Sequence, residues 1–292
     1  MHWRHQPRVW LAIAGTLLLW AAAFAGIRAG LKGYGPGELA LLRFATASAT
    51  LGVIALITRM RPPDRADLPL IALAGFAGIT VYHVALNFGE QSVEAGAAAV
   101  LISTSPVFTA ILSTWFLHER LTGWGWFGVA IAFAGAVVIA FGQSQGVSFN
   151  ADALLVLLAA ISTSVYFILS KPPLRRYTAL EFTAYTIWAG TIPMLVFAPS
   201  LVRQIPDAPP SSTLAALFLG IFPGALAYVM WAYALSRMRA STLTMFLYFQ
   251  PVNAAIIAWI WLGEVPVWLT VIGGAISIAG VVLVSTRGAA RE

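Results

Sequence analysis

Runs of about 20 apolar residues, long enough to cross a bilayer as helix, constrain a chain more than any other pattern it can carry. Ten such runs, separated by short polar breaks, fill almost all of the 292 residues. In hydrocarbon a backbone N–H or C=O finds no water, so each run must bond its own main chain, and a helix does that locally. The expected fold is therefore an all-α integral membrane protein with ten transmembrane helices. Only 10% of the residues are charged, against about 25% in an average soluble domain, which leaves no room for a soluble enzyme. The absence of Cys removes disulfides, thiol nucleophiles and Cys-ligated metals.

The second constraint is a duplication. The stretch from Ala95 to Gly142 is two apolar arms hinged at His118-Glu119-Arg120, and shifting it by 145 positions lands on Ala240 to Arg287. Pro106 then falls on Pro251, Leu117 on Leu262 and Glu119 on Glu264, while Gly128 and Gly135 fall on Gly273 and Gly280. Shared apolar bias matches Leu and Ala by accident, but not a Pro and a Glu at one spacing twice, in register with a Gly-Ala face. The domain reading is residues 1–146 and 147–292, two five-helix repeats joined by the uncharged segment around Gln143 to Ala151.

Orientation follows from the cations. Thirteen of the 17 Lys and Arg fall in loops or ends on one side, among them Arg8, Arg59, Arg61, Arg120, Arg176, Arg237 and Arg287. The other side carries only Lys32 and Arg203 in loops, and Arg28 and Arg43 lie inside helices. The positive-inside rule makes the first side, with both termini, cytoplasmic. Val9 to Leu31 is too long for a signal-peptide core and is read as a retained first helix. Five helices per repeat is an odd number, so the second repeat enters from the opposite face and the repeats are inverted. Inverted repeats without a soluble domain are a common plan of secondary transporters, where each half gates one face.

Most of the 11 Trp lie towards span ends, as an interfacial belt: Trp3, Trp10, Trp115, Trp124, Trp126 and Trp231 inside, Trp259, Trp261 and Trp268 outside. Trp20 and Trp188 sit near mid-membrane. More informative are aromatic residues with polar tips at central depth, Tyr82, His83, Tyr166, Tyr228 and Tyr248. A hydroxyl or imidazole there must find a partner or line a wet cavity. The expected substrate cavity is lined by Tyr82, His83, Tyr166, Trp188, Tyr228 and Tyr248, with Leu101 and Phe246 as apolar wall. Pro106 and Pro251 each release a helix carbonyl four residues upstream, on Ile102 and Leu247, and are read as kink or gating residues. Arg43, about 7 Å beyond Glu38 along its helix, is expected to reach outward to the interface or to join Arg28 and Lys32 at an outer basic patch. Glu119 and Glu264 are expected at the membrane surface without a chemical role, and the small residues Gly128, Ala132, Gly135, Gly273, Ser277 and Val281 as scaffold.

Taken together, the inverted five-helix duplication and the paired Pro-to-Leu-x-Glu hairpins ending in Gly-Ala helices resemble the drug/metabolite transporter superfamily in its EamA branch. Trp20 to Phe24 and the Tyr82-His83 pair look most like the bacterial aromatic amino acid exporters of that branch. The resemblance implies an inner-membrane exporter of amino acids and related metabolites. It also implies helices 1–4 and 6–9 around a central cavity, with helices 5 and 10 outside. The partners implied are an amino acid substrate and the lipid bilayer, with no cofactor, metal or nucleic acid; the plan is compatible with a monomer. Rival readings are a flippase or exporter of another metabolite class, a passive channel and an integral-membrane enzyme. The enzyme lacks a visible constellation, because the four His are scattered and no Asp or Glu lies at mid-membrane. If the prolines bend during transport, Pro106→Ala and Pro251→Ala lower the transport rate severalfold while folded yield stays near wild type. Equal losses of rate and yield in one liposome preparation reduce both to packing residues.

Overall fold

The computed structural model describes residues 6–91, 101–143, 151–250, 252–253 and 268–288. These residues are helical almost throughout. Six helices are long and apolar enough to cross a membrane: α1 (Pro7–Gly30), α2 (Pro36–Thr58), α3 (Arg65–Gly89), α6 (Asp152–Arg175), α7 (Ala179–Gln204) and α8 (Pro210–Leu235). Shorter apolar helices are α4 (Ser105–Phe116), α5 (Gly123–Gln143), α9 (Ala240–Phe249) and α10 (Trp268–Arg287).

Local chemistry sets the helix ends. Pro7 and Pro36 stand in first turns, where the missing N–H costs nothing. Thr178 and Glu181 close a capping box at the start of α7, with Glu181 N–H donating to Thr178 Oγ1 at 3.2 Å and Thr178 N–H to Glu181 Oε2 at 2.8 Å. His118, with φ 57°, stops α4 in the left-handed conformation, and Glu119 N–H turns back to the Ser113 carbonyl at 3.1 Å.

The chain forms two compact units that cut across the sequence halves. One comprises Met1–Phe88 with Leu169–Arg237, the other Gly89–Ile168 with Met238–Glu292. In the first unit, backbones touch through glycine: a Cβ on Gly75 would lie 2.3 Å from the Thr186 carbonyl oxygen, and one on Gly220 would lie 2.5 Å from that of Arg43. One end of this unit gathers the loop between α2 and α3 and the loop before α7. The Asp67 carboxylate there receives Arg176 Nη2 and, at 2.7 Å, the Tyr177 hydroxyl. At the other end Gly35 N–H donates to Gln204 Oε1 at 2.9 Å, beside a cavity of about 460 Å³ that includes Lys32 and Arg203.

In the second unit, α5 and α10 cross through the small-residue faces. A Cβ on Gly135 would meet the Gly273 carbonyl at 2.5 Å, and one on Gly280 the Gly128 carbonyl at 2.6 Å. These two contacts are the same contact under the 145-residue shift, and Ser277 Oγ also donates to the carbonyl of its own counterpart, Ala132, at 3.1 Å. Small side chains permit such approaches in lipid, where packing rather than water expulsion holds helices together.

The acidic hinge residue has more than a surface role. Glu119 is 8% exposed and its carboxylate takes Ala240 N–H at 3.1 Å, Ser241 N–H at 3.0 Å and Ser241 Oγ–H at 2.9 Å. It therefore caps α9, the helix that carries Phe246 and Tyr248. Glu119→Ala strands three buried donors and is expected to destabilise the protein by about 2–4 kcal/mol. For the half-buried capping residue Glu181, Glu181→Ala is expected to cost about 1 kcal/mol. Thermal unfolding of both variants in one detergent tests the ranking; equal midpoints overturn it.

Candidate functional site

The expected cavity residues divide between the two units. Tyr82, His83, Trp188 and Tyr228 belong to the first unit, and Leu101, Tyr166, Phe246 and Tyr248 to the second.

In the first unit, α3 and α8 each pass through a stretch of π-helix, Phe76–Val81 and Gly220–Leu226. The two stretches occupy equivalent places in the duplication. A π turn holds one extra residue and leaves a carbonyl out of the α ladder. Here the Gly78 carbonyl receives the Tyr228 hydroxyl at 3.4 Å, and the Pro223 carbonyl receives Trp20 Nε1–H at 3.2 Å. Gly78 and Pro223 are 145 residues apart, so one defect in the helix recurs in both repeats and an aromatic donor answers it each time.

Immediately after these stretches stand His83 and Tyr228, again equivalent positions, joined from His83 Nε2 to the Tyr228 oxygen at 2.9 Å. Both residues are 3% exposed. Arg43 Nη1 lies 3.4 Å from His83 Nδ1. A guanidinium carries donors only, so Nδ1 must accept. His83 is then neutral with its proton on Nε2, which points at the Tyr228 oxygen, leaving the Tyr228 O–H for Gly78. The donors run one way: Arg43, His83, Tyr228, Gly78 carbonyl. The rings of Phe44 and Tyr82 lie 4.4 and 4.5 Å from that of His83, and Trp20 sits edge-on to Tyr228 at 5.4 Å.

Trp188 is not held by this group. Its Nε1–H donates to the Ser48 carbonyl at 3.1 Å and its ring neighbours Tyr185 at 6.1 Å. In the second unit Tyr166 packs beside Phe167 and Phe246 stacks on Phe249, with both Tyr166 and Phe246 buried and Leu101 half-buried. Tyr248 is fully buried, and its hydroxyl has no hydrogen-bond partner among the described residues. Of the expected wall residues, it is the one whose buried polar tip lacks a partner among the described residues.

Pro106 sits beside irregular helix. Ser103 and Thr104 form a turn that interrupts the helix just ahead of Pro106, and the Ser105 carbonyl takes Ser164 Oγ–H at 2.9 Å. On the other side, Thr244–Phe249 is wound as a tighter 3-10 helix upstream of position 251. Pro251 itself, like Glu264, Trp3, Trp259 and Trp261, lies outside the described residues.

Two expectations are corrected. Arg43 does not reach outward: it is 3% exposed and turns inward to His83, because the imidazole offers an acceptor that hydrocarbon does not. Trp231 is no belt residue: it is 1% exposed with its ring 5.1 Å from Trp20, whereas Trp10, Trp115, Trp124, Trp126 and Trp268 are all exposed. The sequence reading also passed over Gly78, Pro223 and the cap role of Glu119. The 145-residue equivalence of Gly78 with Pro223, and of His83 with Tyr228, was the available signal for the first two.

Comparison with known proteins agrees with this architecture. The pattern of the EamA-like transporter family matches residues 8–141 and again 151–286. The chain is 43% identical to "Uncharacterized transporter YdfC" of Bacillus subtilis, covering 94% of this chain and 91% of that one. It is 42% identical to the "Probable terminal-alkyne amino-acid exporter" of Streptantibioticus cattleyicolor, over 97% and 95%. A solved crystal structure at 21% identity has the same fold, with a TM-score of 0.76 over 94% of this chain and 95% of that one. The chain is a multi-pass membrane transporter, not an enzyme, and belongs to the EamA-like transporter family.

Proposed function

We propose that this transporter exports amino acids, aromatic and other large apolar ones with broad selectivity, together with related small metabolites. It works by alternating access in the bacterial inner membrane. The observation that carries the substrate class is the 42% identity, across nearly the whole chain, with a protein named as a probable amino-acid exporter. The proposed topology is ten transmembrane helices in two inverted five-helix repeats, residues 1–146 and 147–292, around a central cavity, with both termini cytoplasmic. Supporting it, Arg8, Arg61, Arg176 and Arg237 belong to loops or helix ends that meet at one end of the first unit, away from Lys32 and Arg203. Aromatic walls favour large apolar side chains without demanding one shape, and the buried Tyr248 hydroxyl, unpartnered among the described residues, is the proposed partner of the polar backbone of an amino acid.

Purified protein in liposomes preloaded with unlabelled phenylalanine is expected to take up labelled phenylalanine well above empty vesicles, with glutamate as a poor competitor. Tyr248→Phe is expected to raise KM about fivefold, the value of one hydrogen bond. Phenylalanine flux at the level of empty vesicles sinks the amino acid reading and favours an exporter or flippase of another metabolite class.

Export is also proposed to run down the amino acid gradient without proton coupling. The chain of donors from Arg43 supports His83 as a neutral hydrogen-bonding residue, and the described carboxylates lie in loops or near helix ends. Proton-coupled carriers commonly hold an exchangeable carboxylate or imidazole at substrate depth. An imposed pH difference across the liposome is therefore expected to produce no accumulation of phenylalanine. Accumulation that His83→Gln abolishes while sparing exchange makes His83 the proton site instead.

A further inference from the structure

Within the first unit, the N-terminal turns of α1, the segment leading into α7 and the last turns of α8 enclose an open groove of about 740 Å³. All of its lining residues come from that unit. Its floor is apolar, built from Leu11, Leu180, Val229 and Met230, and Leu11 is 69% exposed. Its rim carries Arg8 and Arg237 and no carboxylate. Glu181, next along from Leu180, is outside the lining with its carboxylate turned back onto Thr178 in the capping box, and Asp67 nearby is paired with Arg176. The lining itself therefore carries two positive charges and no negative one.

Arg237 is held in place. Its guanidinium lies over the Tyr233 ring at 3.6 Å, and Nη1 donates to the Ser236 hydroxyl at 2.8 Å and to the Tyr233 carbonyl at 3.2 Å. These bonds use one nitrogen and leave Nε and Nη2, the pair that forms a bidentate fork with phosphate. Arg8 is exposed and has no partner among the described residues. Two arginines over an apolar trough, at the end of a membrane protein, match an anionic headgroup over acyl chain.

We infer that this groove binds one anionic phospholipid, its phosphate on Arg8 and Arg237 and its first acyl carbons along Leu11, Leu180, Val229 and Met230. A free anion lacks the part that fills the floor, and a zwitterionic lipid of the same chains lacks the net charge. The site stands apart from the proposed amino acid path, so its test does not depend on what the protein exports. An arginine near an anionic surface is worth roughly fivefold in affinity, so the pair is worth about 25-fold.

The test is native mass spectrometry of the intact chain in neutral detergent, titrated with phosphatidylglycerol or with phosphatidylcholine of matched chains. Wild type is expected to retain one phosphatidylglycerol in preference to phosphatidylcholine, and glycerophosphoglycerol without chains is expected not to compete. Arg8→Gln with Arg237→Gln is expected to lose that preference by about 25-fold, at an unchanged melting temperature. Arg59→Gln with Arg61→Gln, outside the groove, is expected to keep it. Equal retention of the two lipids by wild type, an unchanged preference in the first double variant, or an equal loss in the second overturns the proposal; competition by the chainless headgroup reassigns the site to a free anion.

Discussion

A backbone carbonyl in hydrocarbon has no water to turn to, and the irregular stretches of this protein are arranged around that fact. Two helices pass through π stretches in the described membrane segments, α3 around Gly78 and α8 around Pro223, and each of these carbonyls is met by a side-chain donor from another helix, Tyr228 and Trp20 respectively. The donors are not decoration on a finished bundle. Without them the π stretches would each bury an unbonded carbonyl, a loss of about 1–3 kcal/mol, and regular helix would be favoured.

The same economy explains why polar residues in this chain come in connected sets. Arg43, His83 and Tyr228 would each be costly alone at their depth, but as a one-way run of donors each satisfies the next. In that run the imidazole accepts on Nδ1 and donates from Nε2, so both of its nitrogens are engaged with neighbouring side chains. Glu119 illustrates the point at a helix end, where a carboxylate without catalytic neighbours fixes the start of α9 and with it the rings of Phe246 and Tyr248.

Duplication left its mark in contacts as well as in letters. His83 bonds to its own counterpart, Ser277 to the carbonyl of Ala132, and Gly135 and Gly280 make the same close approach from opposite sides. The α5 and α10 pairs meet because those helices pack directly on one another, whereas His83 and Tyr228 reach one another through their long side chains. A substitution in one copy then alters only one side of such a contact, which allows the pair to differ in chemistry, as His83 and Tyr228 do, while a hydrogen bond joins them.

Much of this was legible in the letters. Apolar run length settled that the chain crosses a membrane as helices, because hydrocarbon accepts little else. The spacing of Pro106 and Pro251 and of Glu119 and Glu264 revealed the duplication, and both led to the family. Tyr82, His83 and Tyr228 were expected as cavity wall from depth and polarity, and the structure brings those three into contact through His83 in the first unit. Depth could not tell which way Arg43 turns, that Trp231 is buried rather than interfacial, or that Glu119 caps a helix more than 100 residues away. The reason is physical. A helix in lipid is apolar on every face, so its sequence lacks the polar-apolar contrast that marks the packed side of a soluble helix. Only tertiary structure decides which acceptor lies within 3 Å of a donor, and for a buried polar group that acceptor determines its role.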